Sequence, residues 1–196
     1  MFKTLLNHFK ATNPDFSDDE FNEVIKRISI DEYPRKTILW RQGDRVSKGG
    51  FVYKGCFRYF MTNADGQERT TYFAFEDYWV GDYSSLISGE PASQSIEALE
   101  DSIIMNITNS DHKYLLDNCE AFRKFEDIKR TRAYDASLKK IVDLHEPAEI
   151  RYQNLMIKYP QLINRVPLFH IASYLGITPE SLSRLRKKIV NGNNDS

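Results

Sequence analysis

Near the C-terminus, residues 167–190 read PLFHIASYLGITPESLSRLRKKIV, and this segment carries the clearest structural signals of the chain. Its first part, about 168–175, has an apolar helical pattern, and Gly176 follows where a left-handed helix end would stand. Thr178 is placed to cap a second helix, with Pro179 at the first helical position, where proline is favoured. The segment therefore predicts two helices joined by a short glycine turn, the helix-turn-helix pattern.

The second of these helices has one apolar side and one polar side. At about 100° per residue, Leu182, Leu185 and Ile189 share a side and are predicted to be buried. The other side has the chemistry of DNA contact, because arginine can bind guanine with two hydrogen bonds, glutamate can accept from cytosine, and lysines and hydroxyls suit phosphates. A purely structural amphipathic helix is the alternative. The predicted DNA-binding residues are Thr178, Glu180, Ser181, Ser183, Arg184, Lys187 and Lys188.

Charge is unevenly distributed along the 196 residues, whose formal net charge is −1. Residues 1–110 carry 12 Lys and Arg against 17 Asp and Glu, net −5, and residues 111–196 carry 15 against 11, net +4. A basic C-terminal end on a near-neutral protein fits a polyanion-binding module joined to another domain. The basic residues of segment 165–190 are Arg165, Arg184, Arg186, Lys187 and Lys188.

Residues 29–108 have the pattern of short strands. The run Asn63–Gly66 between two of the strand-like segments predicts a hairpin. Many short, closely spaced strands favour a sandwich or a small barrel. The strand-like segments are Ile38–Trp40, Gly50–Met61, Glu68–Phe75 and Tyr78–Gly81.

Helices are predicted on both sides of the strand region. Residues 2–11 and 18–28 precede it, and Ser17 with Glu20 can form a capping box at the second helix. Residues 121–145 predict a helix of about 35–38 Å, whose apolar residues recur every three or four positions. Such a face favours pairing with a second copy of the chain, although packing within one protomer is the alternative. The predicted interface residues are Phe122, Phe125, Leu138 and Ile141.

These patterns indicate an α+β protein of three parts. A β domain is predicted at 1–120, a long helix at 121–145 and a helical domain at 146–196. Pro147 ends the long helix and suits the first turn of the next one, so Leu144–Pro147 is a candidate hinge.

The C-terminal segment resembles the recognition unit of the Crp/Fnr regulators, in which a Ser/Thr-x-Glu-x-x-x-Arg pattern reads DNA. In the run IASYLGITPESLSRLRKKI these positions are Thr178, Glu180 and Arg184. The resemblance covers roughly residues 20–190, and the helix 121–145 stands where the family places its dimer helix. Its upstream part is similar to the glycine turns of the cyclic-nucleotide-binding jelly roll, at Gln42-Gly43-Asp44, Tyr53-Lys54-Gly55 with Arg58, and Gly81-Asp82.

This resemblance implies a fold and a function. The expected fold is an N-terminal β jelly roll, a long dimerisation helix and a C-terminal helix-turn-helix domain. The expected protein is a cytoplasmic transcription regulator that binds palindromic double-stranded DNA as a homodimer and answers to a small-molecule effector, with RNA polymerase as a further candidate partner. The family's β-hairpin wing is expected to be absent or truncated, because only Asn191–Ser196 follow the second helix.

The effector is not expected to be cyclic AMP. Relatives that bind it carry Gly-Glu and then an arginine for the phosphate, whereas this chain has Gly81-Asp82 and no arginine in Ala92–Ser95. A buried phosphate without a guanidinium partner is poorly compensated. The aromatic residues between 72 and 79 either line a pocket or fill the core. The polar and aromatic residues predicted nearest an effector pocket are Arg58, Tyr72, Asp82 and Gln94.

Other function classes find little support in the sequence. The two cysteines, Cys56 and Cys119, cannot supply four thiolates for an iron–sulfur cluster, and their low number suits a reducing compartment. All four histidines lie outside the strand region, which disfavours a cupin-like metal site, and no nucleotide-loop or hydrolase motif is present. No enzyme activity, metal, cofactor or membrane association is therefore expected. The rival hypothesis is a ligand-sensing or protein-interaction module whose helix-turn-helix does not read DNA.

Overall fold

The strand-rich segment forms eight strands in residues 1–192, the part of the chain that the computed structural model describes. They make two antiparallel four-stranded sheets, with strand orders β1-β8-β3-β6 and β2-β7-β4-β5. The predicted β-sandwich is thereby confirmed. The strands are β1 (Ile28–Tyr33), β2 (Ile38–Trp40), β3 (Lys48–Lys54), β4 (Phe57–Thr62), β5 (Glu68–Ala74), β6 (Trp79–Val80), β7 (Ser95–Ala98) and β8 (Ser102–Thr108).

Alternate residues of the strands fill the space between the two sheets. Phe57 and Tyr59 of β4 are buried there, together with Ile96 of β7 and Ile104 of β8. Successive side chains of a strand point to opposite faces. Arg58, between Phe57 and Tyr59, therefore lies on the outer face of its sheet.

The segment Gly50–Met61, predicted as one strand, is divided between the two sheets by a turn at Gly55. This glycine has φ of +117°, and a Cβ at its position would lie 2.0 Å from Ser102 Oγ. The positive φ and the close approach to Ser102 both require glycine. With glycine at this position the chain turns sharply, and β4 starts in the other sheet. The predicted hairpin at Asn63–Gly66 is confirmed, since it joins β4 to its antiparallel neighbour β5.

Helices precede and follow the strands in the chain, and one short helix lies between β6 and β7. The predicted capping box is present at α2, where Ser17 Oγ accepts from Glu20 N and Ser17 N donates to the Glu20 carboxylate, both at 3.2 Å. Within residues 1–192, no helix is both long and apolar enough to cross a membrane. The helices are α1 (Phe2–Thr12), α2 (Asp18–Ile25), α3 (Tyr83–Ser88), α4 (Asn109–Asn118), α5 (Glu120–Asp143), α6 (Ala148–Lys158), α7 (Leu162–Arg165), α8 (Leu168–Leu175) and α9 (Pro179–Gly192).

The first half of the long helix α5 is anchored inside its own protomer. Phe122 and Phe125 are fully buried in a core that includes Phe9 and Phe16, and the ring centroids of Phe125 and Phe9 are 4.3 Å apart. The sequence pattern assigns both α5 phenylalanines to an interface between subunits. That assignment needs correction, because neither has surface to offer a partner.

The second half of α5 has a different environment. Leu138 is 46% exposed and Ile141 is 57% exposed. Sixteen residues separate Phe122 from Leu138, which at about 100° per residue places them about 160° apart around the helix. What the sequence suggests to be one apolar face is therefore two faces, one turned to the protomer core and one turned to solvent.

The C-terminal helices pack on the outer face of the β2-β7-β4-β5 sheet. Phe73 and Phe75 share a core with Leu155 of α6, Leu162 of α7 and Leu175 of α8. This apolar contact fixes the position of α8 and α9 relative to the sandwich.

Candidate nucleic-acid interface

Two helices, α8 and α9, meet at a three-residue turn of the predicted kind. Gly176 adopts a left-handed conformation with φ of +66°, and Ile177 N donates to Ala172 O at 3.0 Å. Thr178 Oγ1 then accepts from Ser181 N at 3.2 Å, which caps α9. The glycine and the threonine are the local signals that make this connection readable from sequence.

The apolar side of α9 is buried and its polar side is open. Leu182 is fully buried against α8, which leaves the opposite side of α9 in solvent. Ser181 is half-buried, and its Oγ accepts a long hydrogen bond of 3.4 Å from Arg184 Nη2. The predicted DNA-binding residues with exposed side chains are Thr178, Glu180, Ser183, Arg184, Lys187 and Lys188.

Most charges on this exposed side are not engaged by opposite charges. Within residues 1–192, no carboxylate lies within ion-pairing distance of Arg184 or Lys187. Lys188 pairs with Glu149 at 2.8 Å, but exposed pairs of this kind contribute little. The pKa of Glu180 lies below its usual value, because its own backbone N–H and the Thr178 hydroxyl bond to its carboxylate. Glu180 is therefore a charged acceptor at neutral pH.

Helix α8 covers the free edge of β5, the last strand of its sheet. Ser173 Oγ accepts from the β5 amide Thr70 N at 2.9 Å, and the rings of Tyr174 and Phe73 lie 5.5 Å apart. Lys140 of α5 donates to the carbonyl oxygen of Thr71. The two helices thus satisfy edge groups of β5 that would otherwise require water.

Arg165 joins the helical region to the sandwich through two carboxylates. Its guanidinium binds Glu76 with two hydrogen bonds of 2.8 Å and also bonds to Glu100. The sequence counts Arg165 among the basic residues that favour a polyanion partner, and this needs correction because its charge is already compensated inside the protein. Glu100 lies 65 positions and Glu76 lies 89 positions before Arg165 in the chain, so no local sequence pattern predicts these ion pairs.

His170 is buried between α8 and the outer face of the sheet. Burial, and then the positive charge of Arg58, lower the pKa of His170 to about 4. Arg58 is itself buried and paired with Glu97 at 2.6 Å and Glu68 at 2.5 Å. The imidazole is therefore neutral in the folded protein at any pH well above 4.

We expect His170 to make the protein less stable as the pH falls below about 6.5. Between pH 6.5 and 4 the unfolded chain binds a proton at this site and the folded protein does not. The free energy of unfolding therefore falls by up to about 1.4 kcal/mol per pH unit from this group. Urea unfolding of wild type and His170→Gln at pH 7, 6 and 5 measures the difference. An equal pH dependence of the free energy of unfolding in the two proteins would contradict the lowered pKa of His170.

The residues predicted for an effector pocket are not all brought together. Strand pairing places Arg58 opposite Phe73 and Tyr59 opposite Tyr72, so Arg58 and Tyr72 lie on opposite faces of the sheet. Tyr72 packs in the interior, with its ring 5.6 Å from that of Tyr59. Arg58 faces α8 instead, so its assignment to the same pocket as Tyr72 needs correction.

Asp82 and Gln94 hold the segment around α3 in place. Asp82 caps α3 by accepting from Ser85 N at 3.0 Å, and it also accepts from Ser93 N at 2.8 Å and Ser93 Oγ at 2.9 Å. Gln94 Oε1 accepts from Thr71 Oγ1 of β5. Both predicted pocket residues therefore have polar partners inside the protein. Both oxygens of the Asp82 carboxylate already accept hydrogen bonds from Ser85 or Ser93.

Comparison with known families and structures supports the same architecture. Residues 30–119 match the family model of the cyclic nucleotide-binding domain. No curated protein matches the chain.

Solved structures with the same fold span nearly the whole chain. The catabolite activator protein of Thermus thermophilus is 20% identical, with 93% of this chain and 87% of that chain covered and a TM-score of 0.57. FixK2 of Bradyrhizobium japonicum is 15% identical, with 85% and 86% covered and a TM-score of 0.71. CLP of Xanthomonas campestris, a c-di-GMP-responsive global regulator, is 14% identical, with 90% and 93% covered and a TM-score of 0.65. At these identities the likeness establishes the fold.

Proposed function

We propose that this chain is a transcription regulator of the Crp/Fnr type, which binds a palindromic DNA site as a homodimer. The observation that carries the proposal is the polar side of α9, where Arg184 stands exposed without a carboxylate partner among residues 1–192, six residues after the Thr178 cap. The proposed division is a sensor domain at 1–120, a dimerisation helix at 121–145 and a DNA-binding domain at 146–196. RNA polymerase is a further partner that this function implies.

Each predicted DNA-binding residue at or near α9 has a role in this proposal. Arg184 donates two hydrogen bonds to O6 and N7 of a guanine, and Glu180 accepts from N4 of a cytosine. Thr178, Ser181, Ser183, Lys187 and Lys188 contact phosphates, which position the helix without reading sequence. Lys188 leaves Glu149 to do so, at little cost because both side chains are exposed.

The exposed half of α5 supports the dimer. Tyr134, Leu138 and Ile141 are exposed and fall within about 60° of one another around the helix. An apolar stripe of this length on a helix is typical of a seam between two copies related by a twofold axis. Two recognition helices would then enter major grooves about 34 Å apart, which is one turn of DNA.

The proposed sensor domain answers to a ligand other than cyclic AMP. The interior of the sandwich is occupied by the side chains of Tyr59, Tyr72 and Tyr78, whose rings contact one another. The chain contains no lysine or arginine between Thr70 and His112, which includes the segment where relatives bind the cyclic phosphate. A ligand that biases the candidate hinge at Leu144–Pro147, between α5 and α6, would change the spacing of the two recognition helices.

Selection of bound duplexes from a random DNA pool tests the function, with wild type and Arg184→Ala in parallel. Wild type should enrich a palindrome with half-sites one turn apart, and Arg184→Ala should lose about 1–3 kcal/mol of preference at one base pair.

Lys187→Ala is the control for phosphate contact. It should weaken binding to all sequences alike and lower the salt dependence by about 0.9 log units per decade, without a change in base preference. If wild type enriches no sequence at near-physiological salt, the regulator proposal fails and the ligand-sensing or protein-interaction alternative takes its place.

A further inference from the structure

Strand β5 is fixed to α8 on both sides of Arg69. Thr70 N donates to Ser173 Oγ at 2.9 Å, and Ser173 Oγ donates to Glu68 O at 3.4 Å. The backbone of Arg69 therefore has a defined position relative to α8. An arginine of the sandwich is in this way held beside the helix that leads into α9.

The guanidinium of Arg69 lies at the turn between α8 and α9. Its Nη2 is 3.5 Å from where a Cβ on Gly176 would stand. Arg69 is exposed, and no carboxylate among residues 1–192 lies within ion-pairing distance of it. The neighbouring Glu68 carboxylate is bound to Arg58. The charge of Arg69 is thus available at the surface beside Gly176, which lies two residues before the α9 cap Thr178.

Further positive charge surrounds this position. Burial and then the charges of Arg69 and Lys158 lower the pKa of Lys140, so these three cations lie close together. The Lys140 ammonium donates to the carbonyl of Thr71 and lies over the ring of Tyr174 at 5.4 Å. Asp143, one turn along α5, is the nearby acidic group that acts on Tyr174. Together with the exposed guanidinium of Arg69, the charges of Lys140 and Lys158 make this surface attractive to a polyanion.

We infer that Arg69 is a DNA phosphate contact, contributed by the sandwich and adjoining the recognition helix. The inference rests on the proposed function, in which Thr178, two residues after Gly176, contacts the DNA backbone. An exposed, unpaired guanidinium at that turn extends the phosphate-binding surface from α9 onto β5, and arginine is well suited to phosphate. The DNA affinity would then depend directly on how the sandwich and α8 are docked.

The test is a salt titration of DNA binding by full-length wild type and Arg69→Ala, with the duplex enriched by wild type as the probe. Arg69→Ala should bind several-fold more weakly, and its slope of log K against log salt should be smaller by about 0.9, because one phosphate contact is lost. The base preference should not change. Arg69→Lys, which keeps the charge, should restore the slope.

Lys3→Ala is the matched control, since it removes one exposed positive charge from α1, a helix that packs against β3 and α5. It should behave as wild type. A role of Arg69 limited to stabilising the C-terminal end of α8 would lower the melting temperature and leave the slope unchanged. That result, or identical slopes and affinities for wild type and Arg69→Ala, would overturn the inference while the proposed function stands. Failure of wild type to enrich any duplex overturns the proposed function itself.

Discussion

Ile141→Asp is expected to convert the proposed dimer into folded monomers. In the proposed dimer the two copies of Ile141 approach each other across the twofold axis, so each subunit would bring an unpaired carboxylate into an apolar contact. The side chain is 57% exposed in the protomer, so the fold itself should tolerate the change. Sedimentation velocity and circular dichroism measure mass and fold in the same sample.

The loss of the dimer should have a large effect on DNA binding. Two linked recognition helices gain affinity for a palindrome of about 10²- to 10⁴-fold over a single one, and the monomer forfeits this gain. Ala136→Asp is the control, because it adds the same charge at an exposed site about 140° away around α5. A dimer that survives Ile141→Asp, or dissociates equally with Ala136→Asp, would place the subunit contact elsewhere.

Phe125→Ala, on the same helix, is expected to act on the fold. Its ring is fully buried. The ring centroid of Phe125 lies 4.3 Å from that of Phe9 and 5.8 Å from that of Trp79. Removing a buried phenylalanine ring costs about 3–5 kcal/mol, from lost apolar transfer and the cavity that remains. Urea unfolding measures this loss of stability. The comparison is made in the Ile141→Asp background, because a dissociating dimer would make the apparent free energy of unfolding depend on protein concentration.

Phe169→Ala is the matched control for the size of the side chain. Phe169 on α8 is 56% exposed, so its removal should change the free energy of unfolding by less than about 0.5 kcal/mol. Similar losses for Phe125→Ala and Phe169→Ala would contradict the placement of Phe125 in the core.

Features set by neighbouring residues were predictable from sequence. Gly176 and Thr178 fix the turn and the cap between α8 and α9, and Ser17 with Glu20 fixes the start of α2, because each of these contacts spans at most five residues. The hairpin Asn63–Gly66 belongs to the same class. In patterns of this kind the local residues determine the backbone geometry, so the rest of the fold need not be known.

Features set by distant partners were not predictable in this way. Helical spacing shows that α5 has apolar residues but not that Phe125 meets Phe9, which lies 116 positions earlier in the chain. Arg165 and Arg58 look like free cations in the sequence, and only the fold brings carboxylates to them. The candidate DNA-binding side of α9 was therefore readable, whereas the predicted pocket and the subunit contact needed the packing.

The covering of β5 by α8 also bears on aggregation. An uncovered strand edge with free amides and carbonyls is a template for pairing with strands of other molecules. In this protein Ser173 and Lys140 bond to that edge, and the ring of Tyr174 packs beside it. A signal that moved α8 far from the sheet would expose the edge, and at high concentration the chain would risk forming intermolecular sheets. In the proposed regulator, solubility would therefore favour switching motions that keep β5 covered, such as a small rotation of α8 and α9 over the sheet.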